Sequence, residues 1–232
     1  VYYFYVCLCL LIMRYTLRLL TAQQFERATK LILSLDFLRR QFDESEEYYF
    51  GSENVSIGMW VGASTTPNSY KDAKSIWKKI SDEITKLNGK KGGDYEKVNT
   101  FPIQSCSWCG CNLVTKNKIG YYVQGYIASD SNFQAKCLNT DCAFEKELPI
   151  YFVDDKIYSN PPTLLFATVD KFAMLSHRSE GNKLFNSLSS NDQKLPPDLI
   201  IQDELHLLSG PLGSITGLYE SIVELLSTKG DR

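Results

Sequence analysis

After Arg14 the apolar residues Leu17, Leu20, Phe25, Ala28, Leu31, Ile32, Leu35 and Leu38 recur mostly at intervals of three and four, a spacing that puts them on one face of an α-helix. With Thr21 as N-cap, the pattern predicts a helix over residues 22–40. Residues 56–62 read as a short buried strand that runs into the turn-rich stretch Ala63-Ser64-Thr65-Thr66-Pro67-Asn68. Helical spacing returns over residues 70–87 and closes at Asn88-Gly89, a pair suited to a helix C-terminus. Residues 88–99 are polar and lead into a cysteine-bearing segment.

Two more short apolar runs follow, residues 163–168 and 199–201, behind Pro161-Pro162 and Pro196-Pro197. Each precedes a helical pattern, over residues 171–175 and 213–226. Short apolar runs bounded by turn residues suit strands buried on both faces, so an α/β fold with a parallel sheet flanked by helices is expected. Residues 179–194 are polar and predict a surface loop. The apolar run at residues 1–13 is shorter than the roughly 20 residues needed to span a bilayer. It has no basic segment before it and no small-residue cleavage site after it. It is expected to be a buried strand or residues outside the domain proper, with no membrane partner, and the initial Val1 suggests a start inside a longer protein.

Composition narrows the classes. A chain of 232 residues with 44% hydrophobic and 22% charged residues is long enough for one large domain with a small insert and too apolar for disorder. Lys and Arg number 25 against 27 Asp and Glu, a net charge of −2, so nucleic-acid binding would have to use local patches. The seven cysteines are an odd number for a disulfide framework and five of them cluster, which predicts a reducing, cytoplasmic setting and a metal site. Cys7 and Cys9 lie in the apolar run and read as small hydrophobes.

Cys106-Ser107-Trp108-Cys109-Gly110 has the form of a zinc knuckle, two thiols separated by two residues with a glycine at the turn. Cys137 and Cys142 can complete a tetrahedron, with Cys111 open as a substitute for Cys109. Residues 121–127 read as a strand of a zinc ribbon. Four thiolates leave no position for water, so the expected Zn²⁺ is structural. Free thiols and a redox C-x-x-C are the competing readings. Trp108 and the nearby tyrosines fit either base stacking or the small core of a ribbon.

The segment Leu199-Ile200-Ile201-Gln202-Asp203-Glu204-Leu205-His206 ends an apolar strand in two carboxylates, which a parallel sheet delivers to its carboxyl edge, where open α/β folds place ligands. In nucleotide hydrolysis such a pair divides the work, one acid on Mg²⁺ and one on the attacking water. The competing reading is the solvated start of a helix.

Three segments carry a family likeness: residues 14–24, with Thr21, Gln23 and Gln24; residues 161–172, with Thr168, Asp170 and Lys171; and residues 196–213, with Asp203, Glu204 and His206. From Arg14 onward the chain resembles the first motor domain of superfamily 2 helicases, most closely the DrmA-like helicase subunits of DISARM phage-defence systems. The resemblance implies a RecA-like sheet, partial here, in residues 1–100 and 151–232, with a zinc-ribbon insert at 101–150. Asp203 and Glu204 would be the Walker B pair of a DEAH-like box binding ATP and Mg²⁺, and His206 would couple that site to strand movement. Thr21, Gln23, Gln24, Thr168, Asp170 and Lys171 would face the nucleic-acid strand, expected to be DNA, with Asp170 orienting a neighbour instead of touching phosphate. Other defence subunits would be partners.

No G-x-x-x-x-G-K-[ST] loop occurs, so the phosphate cradle is missing. The resemblance places that loop upstream of Arg14 and further motor elements beyond Arg232, so the chain alone is expected not to hydrolyse ATP. The alternative is a non-catalytic zinc-ribbon module that binds nucleic acid or protein. A zinc hydrolase built on Glu204, His206 and His177 is the weakest reading, since neither of the two histidines lies in an H-E-x-x-H pattern.

Overall fold

The computed structural model describes residues 11–15, 18–42, 53–173, 175, 179–185, 196–203 and 211–228. In chain order these form β1 (Leu11–Tyr15), α1 (Arg18–Arg39), β2 (Ile57–Trp60), α2 (Tyr70–Asn88), α3 (Tyr95–Val98), β3 (Val114–Lys116), β4 (Tyr122–Gln124), β5 (Tyr126–Ala128), β6 (Phe133–Ala135) and β7 (Ile150–Tyr151). They continue with α4 (Asp154–Ser159), β8 (Leu164–Thr168), α5 (Val169–Ala173), a 3-10 helix at Ser179–Phe185, β9 (Leu199–Gln202) and α6 (Pro211–Ser227).

Five strands build the main sheet in the order β7-β2-β8-β1-β9, every pairing parallel. The register aligns Ile57, Leu164, Leu11 and Leu199 in one row across four strands. All five residues of β8 are buried, as a central strand with apolar side chains on both faces requires. The expected α/β sheet is therefore present, and the helices flank it.

The structure turns α1 differently from its leucine spacing. The buried residues are Phe25, Thr29, Ile32, Leu33 and Asp36, while Leu31, Leu35 and Leu38 are exposed. Apolar residues ring this helix, so periodicity does not select the face. Packing does: Phe25 meets Phe166 of β8 edge-on. Asp36 is tolerated inside because Arg39 and Arg40 pair with it and the Val55 N–H donates to it, and a buried charge persists only when paired. The helix also starts at Arg18, so Thr21 lies inside it and is not the N-cap; neither Gly nor Pro interrupts the chain from Tyr15 to Gln23.

α2 follows its sequence more closely. Ser69 caps it in a reciprocal capping box with Asp72, and Ala73, Ile80 and Ile84 form the buried face. Its end differs in detail, because Gly89 keeps a negative φ and the left-handed residue is Lys90. The polar stretch after it holds the short α3, and the expected surface loop at 179–194 contains a 3-10 helix whose Leu184 and Phe185 are buried.

Residues 101–150 form two hairpins, β3-β4 and β5-β6. The single strand expected at 121–127 is broken at Gly125, whose N–H donates to the Leu113 carbonyl while its own carbonyl accepts from Lys136. A Cβ on Gly125 would lie 2.3 Å from the Lys136 carbonyl oxygen. Gly125→Ala should therefore destabilise the protein by about 1–3 kcal/mol, read from the midpoint of urea unfolding; an unchanged midpoint would refute the close approach.

The hairpins share one core with the sheet. Phe101, Tyr126, Phe133 and Phe144 belong to the same buried cluster as Phe25, Ile57 and Phe166. Trp77 of α2 donates to the Tyr126 carbonyl at 3.0 Å. On the opposite face, Trp60 and Leu165 pack with Phe172, Leu184 and Val223.

Candidate functional site

Cys106, Cys109, Cys137 and Cys142 converge, with all four sulfurs within 4.8 Å of one another. Cys106 lies 3.9 Å from Cys142, and Cys109 lies 3.4 Å from Cys137. Four sulfurs around one ion at a Zn–S distance of about 2.3 Å would be about 3.8 Å apart, so the spacing fits a tetrahedral metal. The knuckle geometry follows from the local sequence. Cys106 accepts from the Gly110 N–H through its carbonyl and donates its own N–H to the Cys111 carbonyl, with Gly110 at φ +77°. A non-glycine residue would be strained there. On the second knuckle the N–H groups of Asn139 and Phe144 donate to the sulfurs of Cys137 and Cys142.

Cys111, left open above, is outside the cluster and points its thiol at the Asn112 carbonyl. Electrostatics divides the four thiols. Burial pushes Cys106 up to about 11, and burial also raises Cys137. For Cys109, slight burial acts upward, but hydrogen bonds from the Cys111 backbone and the neighbouring thiols outweigh it and lower the value. A cation is what would let all four ionise together.

The cluster is held against α1. Trp108 packs on Phe37 with centroids 5.1 Å apart and edge-on against Phe144 at 5.5 Å. Arg40 lies over the Phe144 ring and donates to the Ala143 carbonyl. Tyr126 is buried, and Tyr122 lies beneath the Lys116 ammonium. Most of these aromatics thus build the ribbon core.

A second group gathers at the carboxyl edge of the sheet. Arg14 of β1 is in register with Gln202 of β9, Tyr15 with Thr168 of β8, and the Asp203 N–H donates to the Arg14 carbonyl. Arg14 is buried, donates to Gln202 and Glu220, and stacks over Phe172. The Tyr15 hydroxyl is raised by burial and then by the Asp203 charge, which places that carboxylate within electrostatic reach. The Thr168 hydroxyl is buried and has no hydrogen-bond partner among the described residues. Glu204, His206 and His177 lie outside the described residues, as does the side chain of Thr21.

The other expected strand-facing residues are dispersed. Gln23, Gln24 and Asp170 are exposed. Lys171 is buried, and its ammonium pairs with buried Asp154 and reaches Asn68 at 3.0 Å. That role was not visible in the sequence, because nothing local marks residues 68, 154 and 171 as neighbours. Removing one member of a buried ion pair costs about 3–5 kcal/mol. Lys171→Met should lower unfolding free energy by about that much, measured by chemical denaturation, and a loss under about 1 kcal/mol would mean the pair is solvated.

A cleft of about 1120 Å³ opens between α1 and the first knuckle. Gln23, Lys30, Thr65, Gln104 and Ser107 are among its lining residues. Thr65 follows the carboxyl end of β2, so the cleft floor is on the sheet edge that carries Asp203. Of these, the sequence signalled only Gln23, through the family likeness.

Compared with known proteins, the chain is 33% identical over 249 aligned residues to the DISARM protein DrmA of Bacillus paralicheniformis. It is related to DrmA. The match covers 94% of this chain and 21% of that protein, so the chain spans about a fifth of the length of its DrmA relative. No protein-family model matches the chain. Among the described residues, no helix is long and apolar enough to cross a membrane.

Proposed function

We propose that this chain is the sheet-and-ribbon part of an ATP-dependent nucleic-acid translocase acting in phage defence, with DNA as its strand and other defence subunits as its partners. The observation that carries the reading is Asp203 at the carboxyl end of β9, on the same edge as Tyr15 of the adjacent β1 and Thr168 of β8, the next strand in. Parallel sheets bind ligands at that edge. In this reading Asp203 holds Mg²⁺ through water, Glu204 orients and deprotonates the attacking water, and His206 links the nucleotide to strand movement. Gln23, Gln24 and Thr21 supply neutral donors to strand phosphates, which grip without reading sequence, and buried Thr168 acts from behind the sheet edge. Asp170 orients a neighbour, and Lys171 acts through the buried pair with Asp154.

The four cysteines hold a structural Zn²⁺ that fixes the ribbon on α1; a closed thiolate site supplies no water for chemistry. The relationship to DrmA supports the defence setting. The test is strand-stimulated ATP hydrolysis by the full-length parent protein. Turnover that rises with single-stranded DNA supports the reading. A parent that binds DNA without hydrolysing ATP supports the non-catalytic zinc-ribbon module instead.

A further inference from the structure

We infer that the metal ribbon forms one wall of the strand-binding path, with single-stranded nucleic acid lying in the cleft between α1 and the first cysteine knuckle. The inference deepens the proposed function and rests on its nucleic-acid partner. At about 1120 Å³ the cleft exceeds the roughly 300–1,000 Å³ typical of small-molecule pockets. Its walls belong to two separate elements, which suits a linear ligand.

The chemistry of the walls matches a strand. On the α1 side Lys30 offers a cation, set against the carboxylate of Glu26 one turn before it, and Gln23 an amide; on the sheet edge Thr65 offers a hydroxyl. On the knuckle side Gln104 and Ser107 offer an amide and a hydroxyl beside Trp108. Neutral amide and hydroxyl donors contact phosphate oxygens, and an aromatic ring adds a stacking surface that any base can use. Trp108 packs against Phe37 and Phe144 and still leaves 38% of its surface exposed. This division of the ring, one part anchored and one part open, gives a rigid platform that costs little ordering entropy on binding.

The same geometry makes the metal a condition of strand binding. Ser107 and Trp108 are the two residues between Cys106 and Cys109, so the knuckle turn sets their positions. A ribbon without its metal would keep α1 and lose the opposing wall.

The test is fluorescence anisotropy of a labelled dT12 oligonucleotide with the full chain. Lys30→Glu and Ser107→Glu put carboxylates where phosphates would lie, and each should weaken binding about tenfold at moderate salt. Lys79→Glu, the same charge change on the exposed face of α2, should leave affinity within about twofold. Stripping the metal with a chelator should weaken dT12 binding as much as Ser107→Glu, and restoring Zn²⁺ should recover it. A 5-iododeoxyuridine placed within the oligonucleotide should photocrosslink to Trp108. Circular dichroism of each variant separates lost contacts from lost folding. Affinity indifferent to both cleft substitutions and to metal, or no dT12 binding by the folded wild-type chain, would overturn the inference. Hydrolysis by the full-length parent decides the motor reading separately.

Discussion

Cys109→Ser is expected to abolish stoichiometric metal binding and to unfold residues 101–150. The hydroxyl fits the space, because Cys109 is exposed, so the effect comes from ligation and not from packing. Structural zinc contributes about 10–16 kcal/mol of apparent binding free energy in small domains, far more than four short hairpin strands can replace. The hairpins share their core with the sheet through Phe101, Tyr126 and Phe133, so the overall unfolding midpoint should fall as well. Cys111→Ser, outside the cluster, should leave metal content at about one ion per chain. Elemental analysis and amide exchange over residues 101–150 check both variants. Wild-type protein prepared without chelators that contains no zinc would sink the metal assignment. Acidification should release the ion, since burial favours the protonated thiol at Cys106 and Cys137; metal uptake must displace those protons, and lower pH opposes it.

On the proposed motor reading, Glu204→Gln in the full-length protein should abolish ATP hydrolysis and leave ATP binding largely intact. The amide keeps the shape of the carboxylate and would lose the proposed base for water, a loss of about 10²–10⁴ in rate for general-base catalysis. Asp203→Ala should instead weaken Mg-ATP binding, because it removes the metal-side acid. Asp203 is tied to the β1 edge through its N–H bond to Arg14, so the backbone stays placed when the side chain is cut. If the pair were only the solvated start of a helix, each change would alter stability by about 0.3–1 kcal/mol and leave turnover alone. Near-normal hydrolysis by the Glu204→Gln parent would remove the helicase reading.

Much of this was legible from local pattern. The strands at Leu164–Thr168 and Leu199–Gln202 and the helix at Tyr70–Asn88 follow from apolar runs, proline punctuation and helical spacing. These signals act over a few residues, where backbone sterics and side-chain spacing decide the outcome. The two cysteine pairs were legible for the same reason, since the knuckle is a local turn. The two-residue spacing favoured Cys109 and the cluster contains it; setting Cys111 aside needed the position of the second knuckle.

By itself, then, the chain's order of residues determined a parallel α/β sheet, a four-cysteine insert and an acid at a strand end. The tertiary structure decided the rest, through contacts between distant residues. Of the expected face of α1 it buried Phe25 and Ile32 but left Leu31, Leu35 and Leu38 exposed, and it turned Asp36 inward, because Phe166 and the Arg39 and Arg40 pairs reward that face. It buried Lys171 against Asp154 and Asn68, and it closed Trp108 onto Phe37, setting the first knuckle across the cleft from α1. Periodicity reports which side chains share a face of one element. Which face meets which partner is set by long-range packing and charge pairing, and no local spacing encodes it.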